Sequence, residues 1–419
     1  MTTTVVKKKG PAAVAPAPTV AEHVRNYWDR VRGGDIGSLP AVLGLVVLCT
    51  VFSVMRPTFL TAGNFANLFT QGAAVTLIAM GLVFVLLLGE IDLSAGFASG
   101  VCAAILANIA TVLGQPWYVA VVAAIATGVL IGTFLGFLVS KIGIPSFVVT
   151  LAAFLGFQGV VLLLIDQGSN IAIRDDVLLA IANRNLPPLV GWLLVAIAVG
   201  GYALVQLNRY RTRSARGLLT DPMPVVLARI GGLALILGVA VYILNLERSR
   251  NVLVTSLKGV PIVVPIIAVL LIFWTFVLQR TSYGRHVYAV GGNKEAARRA
   301  GINVDRIRIS VFVICSAMAA VGGIVAASRG NSVDPNTGGS NVLLYAVGAA
   351  VIGGTSLFGG KGRVLDAVLG GAVVAVIDNG MGLLGYSAGT KFVVTGVVLL
   401  LAASVDALSR RRAVATGTR

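Results

Sequence analysis

The stretch GRHVYAVGGNKEAARRAGINVDRIRI, Gly284 to Ile309, is one of the longer polar interruptions in a chain that otherwise alternates apolar segments with brief hydrophilic breaks. Within it, Asn293 to Gly301 carries its own start and stop signals. Asn293 is a favourable N-cap, Glu295 puts a negative charge in the first turn, and Arg298 and Arg299 put positive charge in the last. Gly301 supplies the left-handed closing residue. These signals predict a helix of about two turns, roughly 10 Å long. Ala296, Ala297 and Ala300 recur on it at i,i+3 and i,i+4 spacing and form a small-residue face suited to a groove on another protein.

The surrounding sequence decides what kind of protein carries this helix. The chain has 419 residues, 57% of them hydrophobic and only 12% charged, against the roughly 25% charged residues of soluble domains. An all-α polytopic integral membrane protein follows. The net charge of +17 is spread between apolar segments and not gathered into a basic patch with interleaved aromatics, so membrane topology explains it better than nucleic acid does. Cys49, Cys102 and Cys315 fall inside apolar runs with no Cys-x-x-Cys, which reads as buried thiols. His23 and His286 are far apart in sequence, so neither metal nor cofactor is expected. Residues 1–38, with Lys7 to Lys9 and a Pro/Ala-rich run, lack the apolar core of a signal peptide and read as a disordered cytosolic tail.

Twelve apolar stretches follow, near 40–55, 68–88, 95–113, 117–139, 147–165, 189–207, 225–245, 260–279, 309–327, 342–358, 364–384 and 392–408. Most reach the roughly 17–25 residues that span a bilayer as a helix; the first and tenth are marginal, so 10–12 transmembrane helices are expected, with re-entrant segments allowed for. If the N-terminus is cytosolic and all twelve cross, every one of the 33 Lys and Arg lies inside except Arg56, Arg174, Arg184, Arg248, Arg250, Lys258, Arg329 and Lys391. One miscounted crossing in mid-chain would spoil that asymmetry. Residues 39–409 thus form one transmembrane domain, and both termini, including a C-terminal tail from Arg410 to Arg419, share the cytosolic side with the 284–309 loop.

Several polar or small-residue features interrupt the apolar runs. Gly128-x-x-x-Gly132-x-x-x-Gly136 reads as helix packing. The breaks Gly89–Gly96 and Gly353–Gly360 match at their first Gly, their Leu and their last Gly, a hint of internal duplication around a central path. Glu90 and Asp92 are the sole acids between Asp35 and Asp166; they either cap the next helix or line a pathway. Gly353 to Arg363 fails as a phosphate loop, holding Thr355 where the first Gly is needed and Gly362 where Ser or Thr is needed, and reads as a flexible inner loop. Asp378-Asn379 interrupts the eleventh segment, bonded to neighbouring helices or facing water. The basic turn from Arg209 to Arg216 reads as a topology determinant that meets anionic membrane lipid or a partner. With no Ser/His/Asp, Cys/His or His-Glu-x-x-His arrangement, an enzyme is not expected.

Gly89-Glu-Ile-Asp-Leu-Ser94, Tyr288 to Asn293, Glu295 to Arg298, Ala300 to Val304, Gly353 to Leu357, Gly360-Lys-Gly362 and Asp378 to Met381 together resemble the membrane permease of bacterial monosaccharide ABC importers, from about Asn64 to the C-terminus. The longer form, with the basic turn and Ile144 to Leu151, is most similar to the xylose-type permease. Ala95, Ala300 and Phe358 depart from that family's usual residues at packing positions. The resemblance implies a homodimeric pore in the bacterial inner membrane, a separate cytosolic ABC ATPase and an extracytoplasmic sugar-binding protein. It also maps a coupling helix onto Asn293, Glu295, Ala296, Ala297, Arg298, Ala300 and Gly301. Polar candidates for the sugar's path are Asn67, Gln71, Glu90, Asp92, Asp378 and Asn379. The rival readings are the same architecture with another cargo, a branched-chain amino acid, nucleoside or other sugar, and a proton-coupled symporter, which should show a poised membrane carboxylate and matching six-helix halves.

Overall fold

A computed structural model describes residues 21, 22, 25, 29, 37–165, 169–218, 220–249, 251–252 and 256–415, so most of the tail expected over residues 1–38 lies outside the described residues. The described chain is almost entirely helical. In order it forms α1 (Leu39–Met55), α2 (Ala62–Leu87), α3 (Ala95–Ala107), α4 (Trp117–Phe137), α5 (Ser146–Leu164), α6 (Asp176–Asn183), α7 (Pro188–Ala215), α8 (Met223–Asn245), α9 (Val263–Arg280), α10 (Ser282–Gly292), α11 (Lys294–Arg299), α12 (Val304–Gly330), α13 (Ser340–Gly353), α14 (Val364–Leu383) and α15 (Ala388–Ala415). Wider π turns extend α3 to Val112 and α4 to Ile142. Local chemistry sets the boundaries. Thr61 caps α2 through Oγ1, proline stands at the start of α4, α5, α7 and α8, and Gly143 closes α4 at φ +84°.

Among the described residues nine helices are long and apolar enough to cross a membrane, and three more are apolar but shorter: Leu39–Met55, Asn341–Gly353 and Ala388–Ser404. All twelve expected segments are therefore helices, and the two expected to be marginal are both short. The reason for α13 is visible. Its 14 residues rise roughly 21 Å, short of the roughly 30 Å hydrocarbon core. The connection before it, from β4 (Ser332–Val333) to Gly339, folds back against α3: a Cβ on Gly100 would lie 2.1 Å from the Thr337 carbonyl and one on Gly96 2.7 Å from that of Gly338. Part of the tenth segment is thus irregular chain packed against α3 at Gly96 and Gly100, with Asp334 and Asn336 left exposed.

The connections sort into two ends. At one end Glu90 meets Lys294 and Arg308, Lys141 meets Asp305, and Tyr288 donates to the Gly362 carbonyl. At the other, β1 (Ile171–Ala172) pairs with β4, β2 (Asn185–Leu186) pairs with β3 (Val260–Pro261), and Asn183 donates to the Ser328 carbonyl. These are the two groups that the charge distribution separates into inside and outside, so the alternation of crossings is the expected one.

Burial is uneven. The centre is α2, α12 and α14, where Phe84 and Phe312 are fully enclosed, with Trp274 edge-on to Phe84 at 5.0 Å between ring centroids. Lipid offers apolar side chains no reason to leave it, so these helices associate by close packing. The α4–α12 crossing shows how: a Cβ on Gly128, Gly132 or Gly136 would fall 2.6, 2.4 or 2.8 Å from α12 backbone at Ser316, Phe312 and Ile309. The spacing read as packing does that work. By contrast α7 buries Gly191 alone among its residues, and α8 only Val226, Val241 and Leu244; this pair packs mainly on itself and leaves most of its surface exposed.

Candidate functional site: an inner clamp and an outer amide cluster

The expected short helix is present as α11. Asn293 Oδ1 accepts from the Ala296 N–H at 2.9 Å, Glu295 and Arg298 pair at 2.8 Å on the exposed side, and Gly301 turns at φ +83°. The Gly301 N–H then donates to the Arg298 carbonyl at 3.0 Å and the Ile302 N–H to that of Ala297 at 3.1 Å, which satisfies the last carbonyls of the helix. The face differs from expectation in one respect. Ala297 is 4% exposed and packs into its own chain, while Ala296 and Ala300 stay exposed. A two-turn helix needs an anchor to its own protein, and Ala297, small enough to allow close approach, provides it; the outward surface is Ala296, Arg299 and Ala300.

The helix is seated on two other elements at once. Lys294 Nζ and Arg308 Nη2 both donate to Glu90 Oε1, at 2.7 and 2.9 Å, and the Glu90 side chain is only 7% exposed. Glu90 lies in the break between α2 and α3, Lys294 opens α11 and Arg308 lies in the first turns of α12, so one carboxylate ties the loop helix to both neighbours. Immediately before it, Gly291 lies against α2: a Cβ there would be 1.9 Å from the Leu87 carbonyl, which also accepts the Gly360 N–H at 2.8 Å. The two sequence breaks, Gly89–Gly96 and Gly353–Gly360, therefore touch each other and the α10–α11 loop at one end of the bundle.

Burial alone would raise the pKa of Glu90, but hydrogen bonds from Lys294 and Ser146, together with the charges of Arg308 and Lys294, outweigh it and hold the carboxyl below its ordinary 4.5. A depressed carboxylate contributes stability that is present above the unfolded-state value and is lost as pH falls through the folded one. The clamp is thus intact throughout the neutral range and opens only below about pH 4.5. With binding-protein occupancy held constant, ATP-driven uptake measured at pH 5.5 and 7.5 should agree within about two-fold; a steep rise toward acid pH would contradict an ionised clamp and favour proton coupling.

The six residues singled out for a path do not form one site. Asp92 is fully buried and its Oδ1 accepts from the Ser94 N–H at 2.9 Å and the Ser94 hydroxyl at 2.6 Å, fixing the turn just ahead of α3; the Cys315 thiol is directed at it as a weak donor. Cys315 follows Arg308 by two helical turns, so between Glu90 and Asp92 the break runs along α12 toward the centre of the bundle before α3 begins. Gln71 and Asn379 meet at the opposite end, with a residue that sequence reasoning missed, Asn64. Asn379 Nδ2 donates to Asn64 Oδ1 at 2.9 Å and to Gln71 Oε1 at 3.1 Å, and Asn64 Nδ2 donates to the Phe59 carbonyl at 3.0 Å. Asn67 is exposed on the same side of α2, and Asp378 pairs with Lys391 of α15 at 3.1 Å. The i,i+7 spacing of Asn64 and Gln71 was the available signal for their shared face. Gln71 stands roughly 24 Å from the Leu87 end of α2, beyond which Glu90 lies.

A bundle of twelve apolar helices among the described residues, with a capped loop helix seated on a charged clamp at one end, is a polytopic membrane protein. Residues 64–403 match the family described as branched-chain amino acid transport system / permease component, and the chain belongs to it. It is 35% identical to the xylose transport system permease protein of Escherichia coli (strain K12), over 84% of this chain and 87% of that one. It is 33% identical to the Haemophilus influenzae protein of the same description, over 88% and 96%. To the ribose import permease protein of E. coli (strain K12) it is 29% identical, over 87% and 92%. No solved structure matches it significantly. The chain is a monosaccharide ABC importer permease by family, most of its length resembling xylose permeases, and is a multi-pass protein of the bacterial cytoplasmic membrane. Its relatives are transport permeases and not enzymes, and the family places it in a system with an ATPase and a binding protein.

Proposed function

We infer that this chain is the pore subunit of a pentose importer, with xylose as its cargo, working as a homodimer fed by an extracytoplasmic sugar-binding protein and driven through α11 by a separate cytosolic ATPase. The observation that carries the reading is the Lys294–Glu90–Arg308 clamp. A ligand-driven change needs contacts that differ between two states, and a loop helix ionically fastened to the α2–α3 break and to α12 gives a motor bound at α11 a direct hold on both. Xylose is supported by the identity to permeases of that description. A ribose cargo is the second reading, because a ribose permease aligns over nearly the same length.

Ala300, exposed at the end of α11, is the position to test. With Ala300→Trp, the purified dimer reconstituted with its ATPase and binding protein should lose at least about ten-fold in xylose-stimulated ATP hydrolysis and in uptake, as expected for a bulky side chain inserted at a close interface. Full activity in that variant would remove α11 from the coupling path. Uptake of labelled ribose in preference to xylose by the unaltered complex would leave the coupling intact and replace the cargo.

A further inference from the structure

The α7–α8 pair ends at the cytosolic side in a small, half-open cleft whose lining includes Gln206, Arg209, Tyr210, Arg213, Thr220 and Asp221. We propose that this cleft holds the phosphate of an anionic phospholipid headgroup, with Arg209 and Arg213 as its cationic wall.

Depth is the first argument. α7 is 28 residues long, roughly 42 Å, whereas about 20 residues cross the hydrocarbon. Counted from its outer end at Pro188, the helix leaves the hydrocarbon near Leu207, which puts Arg209 and Arg213 at the level of the headgroups. Geometry is the second. Gln206, Arg209, Tyr210 and Arg213 recur at three- and four-residue spacing, so they share one face of α7, opposite Thr220 and Asp221 at the approach to α8; buried Val226 closes the apolar end of the cleft.

Charge is the third argument. Asp221, the acid in the cleft, is paired with Arg229 at 2.8 Å. Arg209 and Arg213 have no ion-pair partner among the described residues. Two guanidiniums one turn apart, beside the phenol of Tyr210 and the hydroxyl of Thr220, suit a phosphate that accepts several charge-assisted hydrogen bonds. Because α7 and α8 bury so little against the rest of the chain, a lipid wedged between their cytosolic ends also supplies contact that the protein does not. The inference rests on the membrane orientation and not on the cargo.

The test is native mass spectrometry of the full-length protein with phosphatidylglycerol titrated against phosphatidylcholine. The unaltered protein should retain one phosphatidylglycerol in preference to phosphatidylcholine. Arg209→Gln and Arg213→Gln should each weaken that retention about five-fold, the effect of one basic residue at an anionic surface, while Arg211→Gln, which removes the same charge from another face of α7, should change it less than two-fold. Equal losses in all three would mean diffuse attraction and overturn the site. Displacement of the lipid by 1 mM inorganic phosphate, a concentration on the order of the weakest ligand affinities, would assign the cleft to a soluble anion and overturn the lipid. Sugar uptake does not enter either outcome, so this proposal and the importer reading fail separately.

Discussion

Glu90→Gln should lower ATP-driven sugar uptake by about thirty- to one-hundred-fold while the protein still inserts and purifies as a folded species. The substitution keeps the shape and removes the charge, leaving Lys294 and Arg308 converging on a neutral amide at positions now 2.7 and 2.9 Å from a shared anion. Removing one member of a buried ion pair costs about 3–5 kcal/mol. Lys294 is 42% exposed and can turn to water, so roughly 2–2.8 kcal/mol is the expected cost to the seated loop, a shift of about thirty- to one-hundred-fold in its population. The check is uptake by proteoliposomes containing the complete complex, alongside the double variant Glu90→Gln/Arg308→Gln. If the clamp matters through charge, the double variant recovers part of the loss because the stranded cation is gone; if the loss persists unchanged, Glu90 acts in some other way. Uptake unaffected by the single change would remove the clamp from the mechanism.

The second large effect is structural. Gly132→Leu should yield almost no folded protein, because the new Cβ would lie 2.4 Å from the Phe312 carbonyl and 2.5 Å from the Val313 Cα, both backbone atoms of a central helix. Backbone cannot rotate aside as a side chain can. Overpacking of this kind costs several kcal/mol, roughly 3 or more where two helices must separate, and in lipid no hydrophobic force pushes them back together. The monodisperse fraction after detergent extraction, read by size-exclusion chromatography, should fall below about a tenth of the unaltered protein's. Gly156→Leu on α5 is the matched control: nothing lies within 4 Å of a Cβ there, and the extracted fraction should be unchanged. Similar yields from the two variants would mean that the α4–α12 crossing is looser than its geometry.

The comparison of these two sites explains how far the residues alone could be read. Gly128, Gly132 and Gly136 announce a close crossing because their spacing is local, although nothing in it names α12 as the partner. The loop helix was legible to within a residue, since Asn293, Glu295, Arg298 and Gly301 encode start and stop within nine positions. Its orientation was not: Ala296, Ala297 and Ala300 look alike in sequence, and only the packed structure turns Ala297 inward. The bundle itself followed from segment length and the placement of Lys and Arg. The clamp did not follow, because Lys294 and Arg308 stand 204 and 218 positions from Glu90 and pairings over such separations leave no periodic trace. Asn64 escaped for a related reason, its partner Asn379 being 315 positions away. The turn before α13 was hidden because Asp334 to Gly339 reads as an ordinary exterior loop until Gly96 and Gly100 are seen to admit it.

α2 has the clamp at one end and the Asn64–Gln71–Asn379 amides near the other, and it is an uninterrupted helix of 26 residues. A rod of roughly 39 Å cannot be displaced at its foot without its head moving too. Held near the middle, where Gly322 of α12 abuts Ala74 and Ile78, it is a see-saw: a sideways step of about 2 Å at the Leu87 end swings Asn64 by a comparable distance the opposite way, the scale of interface shifts that switching proteins use. Force applied at the clamp would therefore reach the amide cluster through stiffness alone, with no relay of side chains between.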